Sequence, residues 1–234
     1  MQEDPGALLP HEAQAARALA PSLQPVLNAS DATSDLLREY GALADRQSTE
    51  HPAAPVQAHL LPRLADDLAA TALLAKAGYA PQATGLAASA FEVAFTSARV
   101  AWNPAEANKW LQHTDLKHSV YGSTAAISVL RAWGFDENQA KGLWQWYRLA
   151  CLPKHANPVI ERDQETALTH VGHLLRADPQ FGSRTAWQAY IALYIAITSA
   201  SYAFGNFIHD CPLRGLTKAQ WDRGIALIEL VNHL

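Results

Sequence analysis

The stretch Gln82–Asn103, QATGLAASAFEVAFTSARVAWN, decides the fold. Gly85, Ser89, Glu92, Thr96, Arg99 and Asn103 recur at alternating spacings of four and three, which places them in one narrow stripe along a helix. The other sides carry Leu86, Phe91, Val93, Phe95, Val100 and Trp102. A helix apolar on most sides belongs inside a protein, and a stripe made largely of small residues admits close approach by a neighbouring helix. A second stripe of this kind runs through Ser199, Tyr202, Asn206 and His209. The expectation is that the two stripes face each other, with Glu92, Arg99, Tyr202 and Asn206 in a buried polar network. A buried carboxylate is costly unless it is paired and hydrogen-bonded.

Working outward, the rest of the chain is also helical in period, with no sustained strand alternation. Helix starts are marked by capping chemistry: Asn103-Pro104 with Glu106, Asp136 with Gln139, and Thr217 with Gln220. The last of these opens a helix whose Trp221, Ile225, Ile228 and Val231 form an apolar stripe. Further helices are expected at Arg63–Ala77, Ser123–Trp133, Glu161–Arg176 and Arg184–Ile208. Short joints such as Gly78-Tyr79-Ala80-Pro81 and Gly134-Phe135 favour antiparallel neighbours. The expected fold class is therefore all-α, an up-and-down helical bundle of seven or eight helices. Residues 55–234 form the bundle domain, and residues 1–54 form an N-terminal helical appendage or linker, with helices near His11–Leu19 and Asp31–Gln47.

The chain has 234 residues, 49% hydrophobic and 17% charged, with a formal net charge of −4. That excludes wholesale disorder and gives no general attraction to a phosphate backbone. The thin charged coat fits a homodimer or a protein partner covering part of the surface. The N-terminus Met1-Gln2-Glu3-Asp4 is acidic with no apolar h-region behind it, and the only cysteines are Cys151 and Cys211. Both features point to a cytoplasmic protein with reduced thiols. Thr185–Ile208 carries no charged residue and is long enough to span a bilayer. Its Gln188, Thr198, Ser199, Ser201 and Asn206, and its wealth of alanine, mark it instead as a central buried helix, with no membrane partner.

The second informative segment is Trp144–Pro158, WQWYRLACLPKHANP. Pro153 and Pro158 disfavour a continuing helix, so Lys154, His155 and Asn157 are expected on a turn above the core. A histidine exchanges protons near neutral pH, and an arginine stabilises charge on a phosphorane. Arg148 and His155 are therefore the candidate catalytic residues for metal-free phosphodiester cleavage, with Lys154 and Asn157 positioning the phosphate.

Two histidine groups invite a metal reading, His170 with His173 and His113 with Asp115 and His118. A catalytic zinc centre needs three converging ligands, which spacing alone does not provide, so no metal and no cofactor is assigned. Glycine-rich phosphate loops, nucleophile elbows, paired-cysteine zinc signatures and the helical His-Glu-x-x-His are absent from the sequence.

The run Gly78-Tyr79-Ala80-Pro81-Gln82-Ala83, then Ala90-Phe91-Glu92 and Lys109-Trp110-Leu111, resembles a group of uncharacterised bacterial proteins related to the HEPN superfamily. Tyr147–Pro158 is similar to that group's aromatic helix and following turn, and the likeness covers approximately residues 57–180. The resemblance implies a helical bundle that often dimerises. In active members it implies a metal-independent ribonuclease using an Arg and a His a few residues apart, matched here by Arg148 and His155. The match departs at Leu149 and Pro153. Two function classes follow: a catalytically inert HEPN-like interaction module, and a metal-independent endoribonuclease of a toxin or defence system, with RNA as substrate.

Overall fold

The computed structural model describes residues 10–49, 51–115, 119–151, 184–210 and 218–232. Among them are eight helices and no strand: α1 Pro10–Arg46, α2 Ala54–Lys76, α3 Ala80–Trp102, α4 Pro104–Leu111, α5 Ser123–Ala132, α6 Glu137–Ala150, α7 Arg184–Asp210 and α8 Lys218–Asn232. The expected helix at Glu161–Arg176 lies outside the described residues.

The helix ends follow the local chemistry. At α6, Asp136 Oδ1 accepts from the Asn138 and Gln139 amides while Gln139 Oε1 accepts from the Asp136 amide, a complete capping box. Asn103 caps α4 by accepting from the Ala105 amide at 2.9 Å. Helices α2 and α5 end alike. Gly78 (φ 88°) and Gly134 (φ 94°) take the left-handed conformation that a side chain resists, and the next amides, Tyr79 and Phe135, close back on the carbonyls of Leu74 and Leu130.

The long helices α1, α2, α3 and α7 enclose the core, α1 packing most extensively on α2 and α3 on α7. Neighbours in sequence run antiparallel: Ser34 and Arg38 of α1 meet Ala65 and Asp66 of α2, whereas Tyr79, just past the end of α2, meets Glu12 near the start of α1. Gln57 lies beside Ser97 near one end of the α2–α3 pair, and Asp67 beside Ser89 further along it. Both α3 and α7 carry a seam of fully buried alanines at spacings of three and four: Ala83, Ala87, Ala90, Ala94 and Ala98 on one, Ala189, Ala192, Ala196, Ala200 and Ala203 on the other. Seams of this kind let two helix backbones come close. The charge-free stretch at Thr185–Ile208 is thus a central helix, buried over residues 189–203, and no helix of the described residues is long and apolar enough to cross a membrane.

Three features differ from the sequence reading. Helix α1 is continuous where two shorter helices were expected, although it contains Pro21 and Pro25. Both prolines are exposed, four residues apart on the solvent side, so the carbonyls deprived of a donor can turn to water while Leu19, Leu23, Val26 and Leu27 stay buried opposite. Helix α2 starts at Ala54 rather than near Arg63, with Pro55 in its first turn and Pro62 inside. The Pro62 ring occupies space left by Gly41 of α1, where an added Cβ would lie 2.7 Å from the ring carbons. Finally, α1 shares the core cluster with α2, α3 and α7 through Leu23, Leu37 and Tyr40, so the N-terminal segment contributes directly to the interior of the bundle.

Candidate functional site

Helix α3 is buried along most of its length, so its polar residues must find partners on neighbouring helices. Gln57 of α2 and Ser97 of α3 form a closed pair: Gln57 Nε2 donates to the Ser97 carbonyl at 2.8 Å, and Ser97 Oγ donates to Gln57 Oε1 at 2.6 Å. Both residues are wholly buried. One turn-pair away, Ser89 Oγ donates to Asp67 Oδ2 at 2.7 Å, and Arg63 approaches both, its Nη2 3.4 Å from Ser89 Oγ and its Nε 3.9 Å from Asp67.

Glu92 and Arg99 lie two turns apart on α3, and each takes its own partner. Glu92 Oε2 accepts from the Tyr147 hydroxyl of α6 at 2.7 Å. Arg99 Nη2 pairs with Glu106 Oε1 of α4 at 2.7 Å. Only one contact of a potential two-point pair forms, since Arg99 Nε and Glu106 Oε2 are buried with no hydrogen-bond partner among the described residues. Among the described side chains, Glu92 and Arg99 thus take partners on α6 and α4 rather than on α7. The polar stripe of α3 is turned towards α2, α4 and α6, where Gly85 also approaches the Ala150 carbonyl. Tyr202 of α7 stacks on Trp133 at 5.3 Å and meets Phe135 edge-on, in an aromatic cluster rather than a polar one. Asn206 lies on α7 among residues whose side chains are not described. Both α3 and α7 carry alanine seams that allow their backbones to come close, which leaves little room there for long polar side chains.

Tyr147 is held by aromatic contacts as well as by Glu92. Its ring lies 5.6 Å from Phe91 and 4.8 Å from Trp144. Burial, then the charge of Glu92, pushes its hydroxyl well above the usual phenol range, so it stays a donor. Tyr121 behaves similarly. Its hydroxyl donates to the Glu106 carbonyl at 2.9 Å, and burial followed by the Glu106 charge raises its pKa. Lys109 lies over the Tyr121 ring, 5.1 Å from its centre.

Between these pairs opens a cleft of about 200 Å³. Leu60 and Arg63 of α2, Glu92, Val93 and Thr96 of α3, Trp110 of α4, and the segment after α4 with His113, Asp115, Ser119, Val120 and Tyr121 line it. The half-buried Glu92 carboxylate gives one oxygen to Tyr147; its Oε1 takes no hydrogen bond from the described residues. The cleft thus combines apolar walls, an anchored carboxylate with one open acceptor and aromatic rings. That is the composition of a small recognition site.

The other sequence candidates separate. Arg148 is exposed on the last turn of α6, next to Tyr147. Lys154, His155 and Asn157 lie outside the described residues, as do His118, His170, His173 and Cys211. His113 and Asp115 do share the cleft, but among the described residues no three His, Cys, Asp or Glu side chains are grouped to hold a metal. Cys151 is half-buried and its thiol lies against Tyr147. The sequence reading missed Tyr147 as the partner of Glu92 and Glu106 as the partner of Arg99. The second had a usable signal, a carboxylate seven residues on, just across the helix break at Asn103. No family model, curated protein or solved structure matches the chain.

Proposed function

We propose that the chain is a catalytically inert helical interaction module of HEPN-like type. The observation that carries this reading is the commitment of the α3 stripe to the fold: Ser89 to Asp67, Glu92 to Tyr147 and Arg99 to Glu106. Side chains used in this way fix how helices register on one another, and a module recognises partners through the surfaces that such a frame holds in place. The departures at Leu149 and Pro153 from the pattern of active HEPN relatives point the same way.

One observation favours the alternative, a metal-independent endoribonuclease: Arg148 is exposed where a phosphate could reach it. The deciding experiment incubates the purified full chain with a mixed pool of structured and single-stranded RNAs in excess chelator, beside Arg148→Ala and His155→Ala. The module reading expects no cleavage by any of the three. Cleavage by the wild type that both substitutions abolish would overturn it.

A further inference from the structure

The cleft beside Glu92 has a charge balance that specifies its ligand. Arg63 at its rim is turned to Asp67 and Ser89, with no ion pair to Glu92. Glu92 borders the cleft with no ion pair to a described cation, whereas the charge of Arg63 is matched by Asp67. Part of its lining is apolar: Leu60 and Val93 are buried, and Val120 and Trp110 are half-buried. A partly desolvated carboxylate over apolar walls and an aromatic ring favours a cation with a hydrocarbon stem.

We propose that this cleft binds an alkylammonium group, with Glu92 Oε1 as its counter-charge. The geometry selects ammonium over guanidinium. A guanidinium gains most from two parallel bonds to both carboxylate oxygens and would have to share Oε2 with the Tyr147 hydroxyl at 2.7 Å, whereas an ammonium needs Oε1 alone. Size agrees: a space of roughly 200 Å³ accommodates a short alkylamine or a lysine side chain. The inference rests on reading the chain as a binding module, and it names what that module recognises. The ammonium could belong to a free amine or to a lysine displayed by a partner protein.

The test titrates the isotope-labelled full chain, followed by amide and indole NMR, with n-butylammonium, N-acetyl-lysine methylamide, n-butylguanidinium and neutral n-butanol. Saturable binding of the ammonium probes is expected, with Kd on the order of 1 mM for so few atoms. Shifts should centre on Glu92, Thr96, Trp110 and Ser119, and n-butanol should bind at least about tenfold more weakly. Glu92→Gln should weaken the ammonium probes by about tenfold or more. Asp115→Lys, at the exposed rim, should weaken them several-fold without touching the Tyr147 contact, which keeps the test informative should Glu92→Gln fail to fold. Tighter binding of the lysine amide assigns the site to a protein lysine; tighter binding of butylammonium assigns it to a free amine. Absent saturation, equal binding of n-butanol, or tighter binding of butylguanidinium would overturn the proposal. RNA cleavage is scored separately, so failure of the module reading and failure of the ligand assignment give different results.

Discussion

Replacing Tyr147 by Phe removes one oxygen atom and leaves the ring where it packs, 5.6 Å from Phe91 and 4.8 Å from Trp144. The lost contact is a 2.7 Å hydrogen bond from the phenol to the Glu92 carboxylate. Hydrogen bonds to charged groups contribute about 1.5–3 kcal/mol. Glu92 borders the open cleft and can recover water at Oε2, so the lower end applies, a loss of about 1.5 kcal/mol. For a chain of this size that corresponds to a fall in Tm of about 3–6 °C. Glu92→Gln keeps an acceptor oxygen and should lose less, about half as much. The double variant should lose no more than Tyr147→Phe alone, with a coupling energy of about 0.7 kcal/mol. Thermal and urea unfolding, followed by far-UV circular dichroism, give both quantities. An unchanged Tm for Tyr147→Phe, or strict additivity in the double variant, would refute the claim that this bond fixes α6 on α3.

Two further outcomes are expected. Gly41→Ala places a Cβ 2.7 Å from the rigid Pro62 ring and should lower stability by about 1–3 kcal/mol in urea unfolding, even though alanine favours a helix; adding Pro62→Ala should recover most of that loss, and a neutral single variant or an unrescued double would count against the fit of ring to glycine. Burial raises the hydroxyl pKa of Tyr121, Tyr147, Tyr190, Tyr194 and Tyr202 above 10.0 and that of Tyr40 to about 12, so the unfolded chain releases these protons first. Stability should hold below about pH 10 and fall as pH rises towards the folded-state values, less steeply in Tyr147→Phe; a urea midpoint that stays level across this range would contradict the assignment.

The sequence was most informative where structure depends on neighbours in the chain. The capping box at Asp136 and Gln139, the Asn103 cap and the joints at Gly78 and Gly134 are contacts within a few residues, and all are found in the fold. Prolines misled where their effect depended on distant surroundings. Pro21 and Pro25 are tolerated because they face solvent, and Pro62 because Gly41, in another helix, makes room. Periodicity reveals that a helix has an apolar side but does not identify the element that clears space for a ring. The α3 stripe repeats the lesson: its partly buried setting followed from its small residues, whereas Tyr147 is separated from Glu92 by 55 positions and belongs to a helix whose docking no local pattern records.

The depth of each polar residue along α3 accounts for its different use. Ser97 sits where the helix is enclosed, and an unmatched hydroxyl or amide there would carry its full desolvation penalty, so Gln57 and Ser97 satisfy each other on both sides. Glu92 sits at the rim, where the interior meets the cleft beneath the segment after α4. One oxygen there can be fixed by Tyr147 while the other remains accessible at little cost, because water can occupy the cleft until a ligand displaces it. The Tyr147 bond restricts the carboxylate to one orientation, so less side-chain freedom is left to lose on binding. A contact that holds two helices together thereby also presets the acceptor for a ligand. Tyr147→Phe should consequently weaken ammonium binding as well as stability, even though the phenol donates to Oε2 and the proposed ligand meets Oε1.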